Sequence, residues 1–418
     1  MTSHPQDTET VDSEHMVCFA SEDWWYHNPH SNKHIMQTLA RNGSRVLFVN
    51  STGNRAPQLL RDPFARQRVL RKLRSLLIFL RRVEPNLFVL TPLALPITRR
   101  WRTIIERINR IAIAVQVRLV CRFLNFSKPI IWISSPAAGA AAIALRRKWS
   151  RLLVYYCVDN LSFLSGADSA YIRLLDLQLQ NAADLLLISG RKLYEERVQQ
   201  RPEVHLLPHG VDYDHFAKAQ APSESVPTDL SRIAQPIVVY IGMIHGLDLE
   251  LIAEIATRNP HVSFVFIGGV EMNVEKLSVF RNVHWLGKKC YEDLPRYLQA
   301  ARCCLLCYGR GDTFNEYRSP KKLLEYFATG LPLVALQLAD LHYHAHLVYQ
   351  AAEAKDFDLQ LQRALSETDP ELRRQRIEAA RVRDWHIVGA EVSRHIRRHL
   401  QSRDGKTQAS LQVLQISS

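Results

Sequence analysis

The residues with the plainest chemical meaning lie in SPKKLLEYFATGLPLVA, Ser319 to Ala335. Ser319 can cap a helix and Pro320 suits its first position. Gly330 and Pro332 end it before an apolar, strand-like run. Lys321 and Lys322 fall in the first turn, where the exposed N–H groups already carry partial positive charge and an acidic residue would be more stable. Those N–H groups, the helix dipole and Lys322 together suit a diphosphate, with no metal and no glycine loop. Glu325, three residues on and nearly on the same face, can accept two hydroxyl protons from a ribose. The same spacing also fits a surface helix with a Lys321–Glu325 ion pair, and spacing alone does not choose between them.

A second set follows the first apolar run, in SEDWWYHNPHSNKHI. Asp23, Trp24, Trp25, Asn32 and His34 are candidate site residues, because the loop follows a strand and should face a ligand cleft. Adjacent tryptophans suit stacking on a sugar face, or equally two anchors that tuck the loop down; His34 reads more simply as a local hydrogen-bonding residue. Asp159, directly after the run LLVYYC, is a further carboxylate at a strand end, where Asp-Asn also suits a turn. Metal-like signals are weak. Asp212 and Asp214 have D-x-D spacing within a segment where Asp212 shapes a turn. His342, His344 and His346 merely alternate, and CCLLC lacks a second ligand pair at zinc spacing. No bound metal or cofactor is expected.

Alternating strand and helix must position these groups. Apolar runs at 16–20, 45–49, 87–90, 129–134, 152–157 and 184–189 are separated by helical stretches at 30–42, 137–149 and 168–182. After the proline-containing, polar 217–235 the alternation restarts at 236–242, 262–268, 282–287, 303–308 and 331–336. Strands apolar throughout, each followed by a helix, predict parallel sheets covered on both faces. The expected layout is α/β: a polar N-terminus (1–15), a first Rossmann-like domain (16–216), a linker (217–235) and a second Rossmann-like domain (236–383). A helix at 384–400 then crosses back to the first domain, and 401–418 is read as a disordered tail. Neither G-x-G-x-x-G nor a Walker motif occurs, which argues against dinucleotide or P-loop chemistry.

Charge is concentrated. Between Arg61 and Arg122 lie 15 Lys or Arg against three acids, a balance of 15 − 3 = +12 within a chain of net +13. The stretches 66–82 and 99–122 interleave arginine with aliphatics at helix-compatible spacing, the pattern of a helix lying in an anionic membrane surface; packed helices with arginines in solvent are the alternative. Nucleic acid is not the expected partner, because stacking aromatics are lacking. With a polar, acidic start and no run of the roughly 20 apolar residues that a spanning helix needs, the reading is cytoplasmic, with this segment peripheral on a membrane.

Several segments together resemble the GT-B glycosyltransferases. EYRSPKKLLEYFATGLPLVA is similar to their donor motif, P-x-K-x-x-E-Y-x-A-x-G-x-P. PHGVDYDHF (208–216) resembles the close of their first domain, and YIGMIHGLDLELIAEIA and NVHWLGKKCYEDLPRYLQAARCCLLCY resemble the donor domain. NKHIMQTLARNGSRVLFVN is similar to the first helix and second strand of bacterial polysaccharide-assembly members, such as the xanthan glucuronosyltransferase and teichuronic-acid transferases. The resemblance implies two Rossmann-like domains facing a cleft and transfer from a nucleoside-diphosphate sugar, UDP being the expected nucleotide. The implied acceptor is a lipid-linked glycan. Ser319, Lys321, Lys322 and Glu325 would hold the donor nucleotide, with Gly242, Met243 and His245 lining its phosphate or base pocket. Asp159 would be the catalytic base, at the position of the xanthan-type aspartate. Many retaining members carry a glutamate eight residues before Glu325; here Tyr317 stands there and Glu316 is one residue out of register, which leans the reading towards inversion. A nucleotide-sugar 2-epimerase or a catalytically silent scaffold of the same fold are the alternatives.

Overall fold

A computed structural model describes residues 14–51, 74, 78–96, 101–163, 168–201, 203–221, 226–309 and 311–416. They form two compact units. The first takes in the chain up to Leu187, a short return at 203–205 and the residues from Gly389 on; the second takes in Ile188–Arg201 and Leu206–Val388.

The first unit is built on strands β1 (His15–Phe19), β2 (Arg45–Val49), β3 (Leu80–Glu84), β4 (Leu87–Leu90), β5 (Ile130–Ile133), β6 (Leu152–Cys157), β7 (Leu185–Ile188) and β8 (Val204–Leu206). Their order is β3-β4-β2-β1-β5-β6-β7-β8. β1, β2, β4, β5 and β6 pair in parallel and β3 closes the edge antiparallel to β4. The long apolar runs form the buried strands because their β-branched and aromatic residues fill both faces: Phe19, Phe48, Trp132, Tyr155 and Tyr156 are fully enclosed. Helices α1 (Ser31–Arg41), α2 (Arg102–Phe123), α3 (Gly139–Trp149) and α4 (Ser169–Ala182) belong to this unit. The sheet corrects one expectation: Leu80–Glu84, read above as the end of a basic helix, is an edge strand. Residues 66–73 and 75–77 of that stretch lie outside the described residues.

In the second unit, β9 (Ile237–Ile241), β10 (Ser263–Ile267), β11 (Val283–Gly287), β12 (Cys303–Leu306), β13 (Leu333–Leu336) and β14 (Tyr349–Ala351) form one parallel sheet, order β11-β10-β9-β12-β13-β14. Its helices are α5 (Arg191–Val198), α6 (Tyr213–Ala217), α7 (Leu249–Arg258), α8 (Leu294–Gln299), α9 (Thr313–Glu316), α10 (Lys322–Thr329), α11 (Ala354–Ser366) and α12 (Pro370–Arg381). Val211, Phe216 and Leu230 join this unit's core. The stretch around 217–235, read as a linker, is therefore partly packed: Tyr297 donates to Asp229 (2.9 Å) and Lys289 pairs with Asp229 (2.7 Å). The last helix, α13 (Trp385–Ile416), runs well past Gln401, where the polar composition predicts a tail.

In both sheets the chain order reverses once: between β1 and β5, and between β9 and β12. Ligands of such sheets bind outside the carboxyl ends of the strands at that reversal. The candidate residues of each unit belong to this edge.

Candidate functional site

At the reversal in the second unit, β9 is followed by Gly242 at φ +144° and β10 by Gly268 at φ +156°. A Cβ on Gly268 would lie 1.9 Å from the Gly242 carbonyl oxygen, so the two strand ends meet backbone to backbone. A Cβ on Gly242 would lie 2.3 Å from Lys322 Nζ. Gly242 thus clears the volume that the ammonium group of α10 occupies. Lys322 Nζ donates to Tyr240 Oη (2.7 Å), which donates to the Met243 carbonyl (2.9 Å). The ammonium stands 4.1 Å from the Tyr240 ring and 5.2 Å from that of Tyr308, just after β12. Tyr326 of α10 accepts from the Ile241 N–H (2.8 Å), fixing helix to strand end. Among the described residues no carboxylate pairs with Lys322. Burial pushes the Tyr308 phenol up, yet Lys322 and Arg318 outweigh it and leave it below the ordinary tyrosine value; Tyr240, buried beside it, is held well above.

The neighbouring lysine behaves differently. Lys321 pairs with Glu325 at 3.1 Å, the ion pair that the spacing allowed, and Glu325 is itself buried. Lys321 also acts on the buried His209, whose imidazole is pushed down to about 3 by burial and then by Lys321 and Arg383. The helix begins at Lys322, with Lys321 at its N-cap position and no side-chain cap, and Gly330 ends it at φ +78°. Ser319 does not cap it; its hydroxyl bonds Asp340, which also accepts from the Arg191 N–H (2.9 Å). Met243 is half exposed, its sulfur near Gly269, and His245 is half-buried. Tyr317 donates to Glu196 (2.7 Å) under Lys192, which pairs with Glu316 (2.8 Å). The phenol in place of a glutamate is thereby committed to α5.

Sequence reasoning missed Arg318, Asn315 and the two tyrosines. Arg318 lies over Tyr308 (4.2 Å) and Phe314 (5.0 Å), and its Nε donates to Asn315 Oδ1 (2.9 Å). Asn315 in turn donates to the Gly246 (3.0 Å) and Gly309 (2.9 Å) carbonyls. Arg318 lies four residues before Lys322 but ahead of the helix start, so no helical spacing marks it in the sequence.

The first unit has its own polar layer at the reversal. Asn32, at the start of α1, donates to Glu22 Oε2 (3.0 Å) and Ser134 Oγ (2.8 Å), and accepts from Trp132 Nε1 (2.9 Å). With these bonds Asn32 is fully buried and braces the strand ends. Glu22, also buried, keeps Oε1 without a partner. No spacing in the sequence marks it. Asp23 instead shapes its own loop, accepting from the Trp25 N–H (3.0 Å). Trp24 is buried edge-on to Phe48 (5.0 Å) with Lys33 over its face (4.5 Å), an anchor rather than a platform. Trp25 is half-buried under Arg81, and His34 is buried. Asp159 follows β6 and is half-buried; its carbonyl accepts from the Leu161 N–H (3.0 Å) as a short helical turn begins. Glu22 and Asp159 thus both lie at the carboxyl edge of one sheet, one after β1 and the other, two strands away, after β6. Asp212 sits at the N-cap position of α6 and its carboxyl is raised, chiefly by burial. No group of three or more His, Cys, Asp or Glu among the described residues is arranged to hold a metal ion.

Residues 235–367 match the family model of glycosyl transferases group 1. No curated protein is significantly similar in sequence. Solved structures extend the likeness to nearly the whole chain. A sucrose-phosphate synthase from Thermosynechococcus elongatus superposes with a TM-score of 0.67 at 15% identity, over 94% of this chain and 100% of that one. HepE from Anabaena, solved with UDP and glucose, gives 0.58 at 12% identity, over 92% and 99%. A trehalose-6-phosphate synthase, studied for transfer with retention, gives 0.59 at 11% identity, over 92% and 99%. The chain has the GT-B fold over nearly its whole length. More narrowly, its segment 235–367, which holds Gly242, Lys322 and Glu325, is the part that matches the group 1 family.

Proposed function

We propose that the protein moves a sugar from a nucleoside-diphosphate donor, UDP being the first nucleotide to test, to a lipid-linked glycan acceptor in cell-surface or exopolysaccharide synthesis. The observation that carries the donor half is Lys322: an ammonium with no carboxylate partner among the described residues, held by Tyr240 in space that only a glycine at 242 leaves free, at the reversal of a parallel sheet. Such a group meets a diphosphate, and Glu325 one turn on meets the ribose. His245 and Met243 flank the phosphate and base.

In the reaction, the acceptor hydroxyl oxygen forms the new bond to the anomeric carbon. The bond from that carbon to the diphosphate oxygen breaks, its electron pair leaving on the phosphate, where Lys322 stabilises it. The acceptor proton passes to the Asp159 carboxylate. This sequence inverts the anomeric centre, and it is favoured because Tyr317, bound to Glu196, offers no carboxylate where many retaining relatives have one. The product anomer, read by NMR, decides the point: retention refutes the role of Asp159.

The acceptor half rests on α2. Its buried face is Asn109, Ile113, Val117, Val120 and Cys121, yet Trp101, Ile104, Ile108, Ile111, Val115, Leu119 and Phe123 form a second apolar stripe on the opposite side, with Phe123 77% exposed. The 22-residue helix extends that stripe over about 33 Å. Arg107, Arg118 and Arg122 run along one border of it. An exposed apolar stripe edged with arginine suits immersion at an anionic membrane surface, peripheral on the inner face, where a lipid-linked acceptor would be presented. No helix among the described residues is long and apolar enough to cross a membrane.

A thermal-shift panel of UDP-, GDP- and ADP-linked sugars tests the donor half. A stabilising hit that is lost in both Lys322→Ala and Glu325→Ala supports it, and unchanged binding in both variants removes the site. Flotation with anionic liposomes, run beside an oligonucleotide shift, tests the surface.

A further inference from the structure

The donor site as proposed has one cation, whereas a nucleoside diphosphate carries at least two negative charges. A second cation stands beside the first. Arg318 and Lys322 approach the same ring, Tyr308, at 4.2 and 5.2 Å. The guanidinium is fixed with care: stacked on Tyr308 and Phe314, its Nε held by Asn315, and Asn315 itself clamped to the carbonyls of Gly246 and Gly309. Gly246, at φ +67°, belongs to the loop that leaves β9; a Cβ there would come within 3.4 Å of both amide atoms of Asn315 and 3.6 Å of Arg318 Nη2. Of these bonds the guanidinium itself makes one, from Nε to Asn315. Nη2 is buried without a hydrogen-bond partner, and no carboxylate among the described residues pairs with Arg318. A buried guanidinium nitrogen left unbonded is costly, and an incoming anion would offset that cost.

From this geometry we propose that Arg318 is the second cation of the donor site, binding the diphosphate together with Lys322 and stabilising the charge that gathers on it as the sugar leaves. The assignment rests on the donor-site reading above and extends it to a residue outside the helix that carries Lys322 and Glu325. Arginine suits the position because its planar fork can stack on Tyr308 and still present its terminal edge to phosphate oxygens, which a lysine cannot do. Asn315 then acts as a positioning residue that sets the plane of the fork.

The test is a titration of wild type, Arg318→Gln, Arg318→Lys and Lys322→Ala with UDP, GDP and ADP, the tightest of which is then compared with its own nucleoside. Expected is a loss of tenfold or more in diphosphate affinity for Arg318→Gln, partial recovery in Arg318→Lys, and unchanged nucleoside affinity in both, which also shows that the variants are folded. The wild-type dependence on salt should flatten in Arg318→Gln. If Arg318→Gln binds the diphosphate as wild type does while Lys322→Ala loses it, Arg318 is only a packing residue on Tyr308 and the proposal fails, leaving the donor site standing. Equal losses for nucleoside and diphosphate also overturn it, because they report a disturbed pocket. A wild type that binds none of the three nucleotides removes the donor site itself and this assignment with it.

Discussion

Gly242→Ala tests whether the glycine after β9 exists to seat Lys322. The new Cβ would lie 2.3 Å from Nζ and 2.9 Å from Cε, while the next neighbour, Tyr240 Oη, is 3.6 Å away. Since the clash is with the free end of a flexible side chain, the lysine swings aside and loses its bond to Tyr240, and the core is spared. The direct stability cost is then the strain of an alanine at φ +144°, about 1–3 kcal/mol. The binding cost is larger in effect. A charge-assisted bond to phosphate contributes about 1.5–3 kcal/mol, so donor affinity should fall roughly 10- to 100-fold. Calorimetric titration with the nucleotide that stabilises wild type measures both single variants and the double. If the alanine acts by displacing the lysine, Gly242→Ala/Lys322→Ala is no weaker than Lys322→Ala alone, because the two changes remove one interaction. Additive losses in the double variant would refute the reasoning, and so would a Gly242→Ala protein that binds donor normally.

Gly268→Ala should differ in kind: its Cβ would meet the Gly242 carbonyl oxygen at 1.9 Å, backbone that cannot swing away, so a drop in melting temperature of several degrees or loss of soluble protein is expected. Asp159→Asn should abolish turnover in a donor-hydrolysis or transfer assay while leaving nucleotide affinity nearly intact; normal turnover removes the base. Leu119→Glu on α2 should reduce liposome flotation about tenfold or more, as burying a leucine contributes roughly 1.5–3 kcal/mol, without changing nucleotide affinity. His209 predicts a pH dependence of stability. Its folded value near 3 lies below the unfolded 6.5, so the unfolded chain binds the extra proton, and the contribution is complete above pH 6.5 and lost as pH falls towards 3. Denaturant titrations of wild type and His209→Asn across that window should converge as the pH drops; parallel curves would count against it.

The fold was legible because its strongest signal is one-dimensional. Runs such as IIWI and LLVYYC are apolar at every position, and only a strand buried on both faces asks for that. Short or mixed strands were lost for the same reason. Leu80–Glu84 carries two arginines and a glutamate on an exposed edge, so its composition reads as helix and only its pairing with β4 makes it a strand. Val204–Leu206 and Tyr349–Ala351 are three residues each, too few for any period to register.

The donor site divides along the same line. Lys322 and Glu325 were visible because their relation is local, one turn of a single helix. What gives Lys322 its role is distant in sequence: Tyr240 and Gly242 lie about 80 positions earlier, and a tyrosine within a strand carries no mark of the lysine it will meet. The two lysines of the first turn therefore looked alike on paper. The structure separates them by what each touches. Lys321 is neutralised by Glu325 and helps keep His209 uncharged, so it belongs to the architecture of the helix start. Lys322 is turned the other way, onto a phenol and into a gap left by a missing side chain. A cation held in place yet left without a counter-charge is a cost to the empty protein, and that cost is recovered only when an anion binds. Lys321→Ala should accordingly lower stability more than donor affinity, and Lys322→Ala the reverse. Paired melting and titration curves in which the two variants behave alike would erase the distinction.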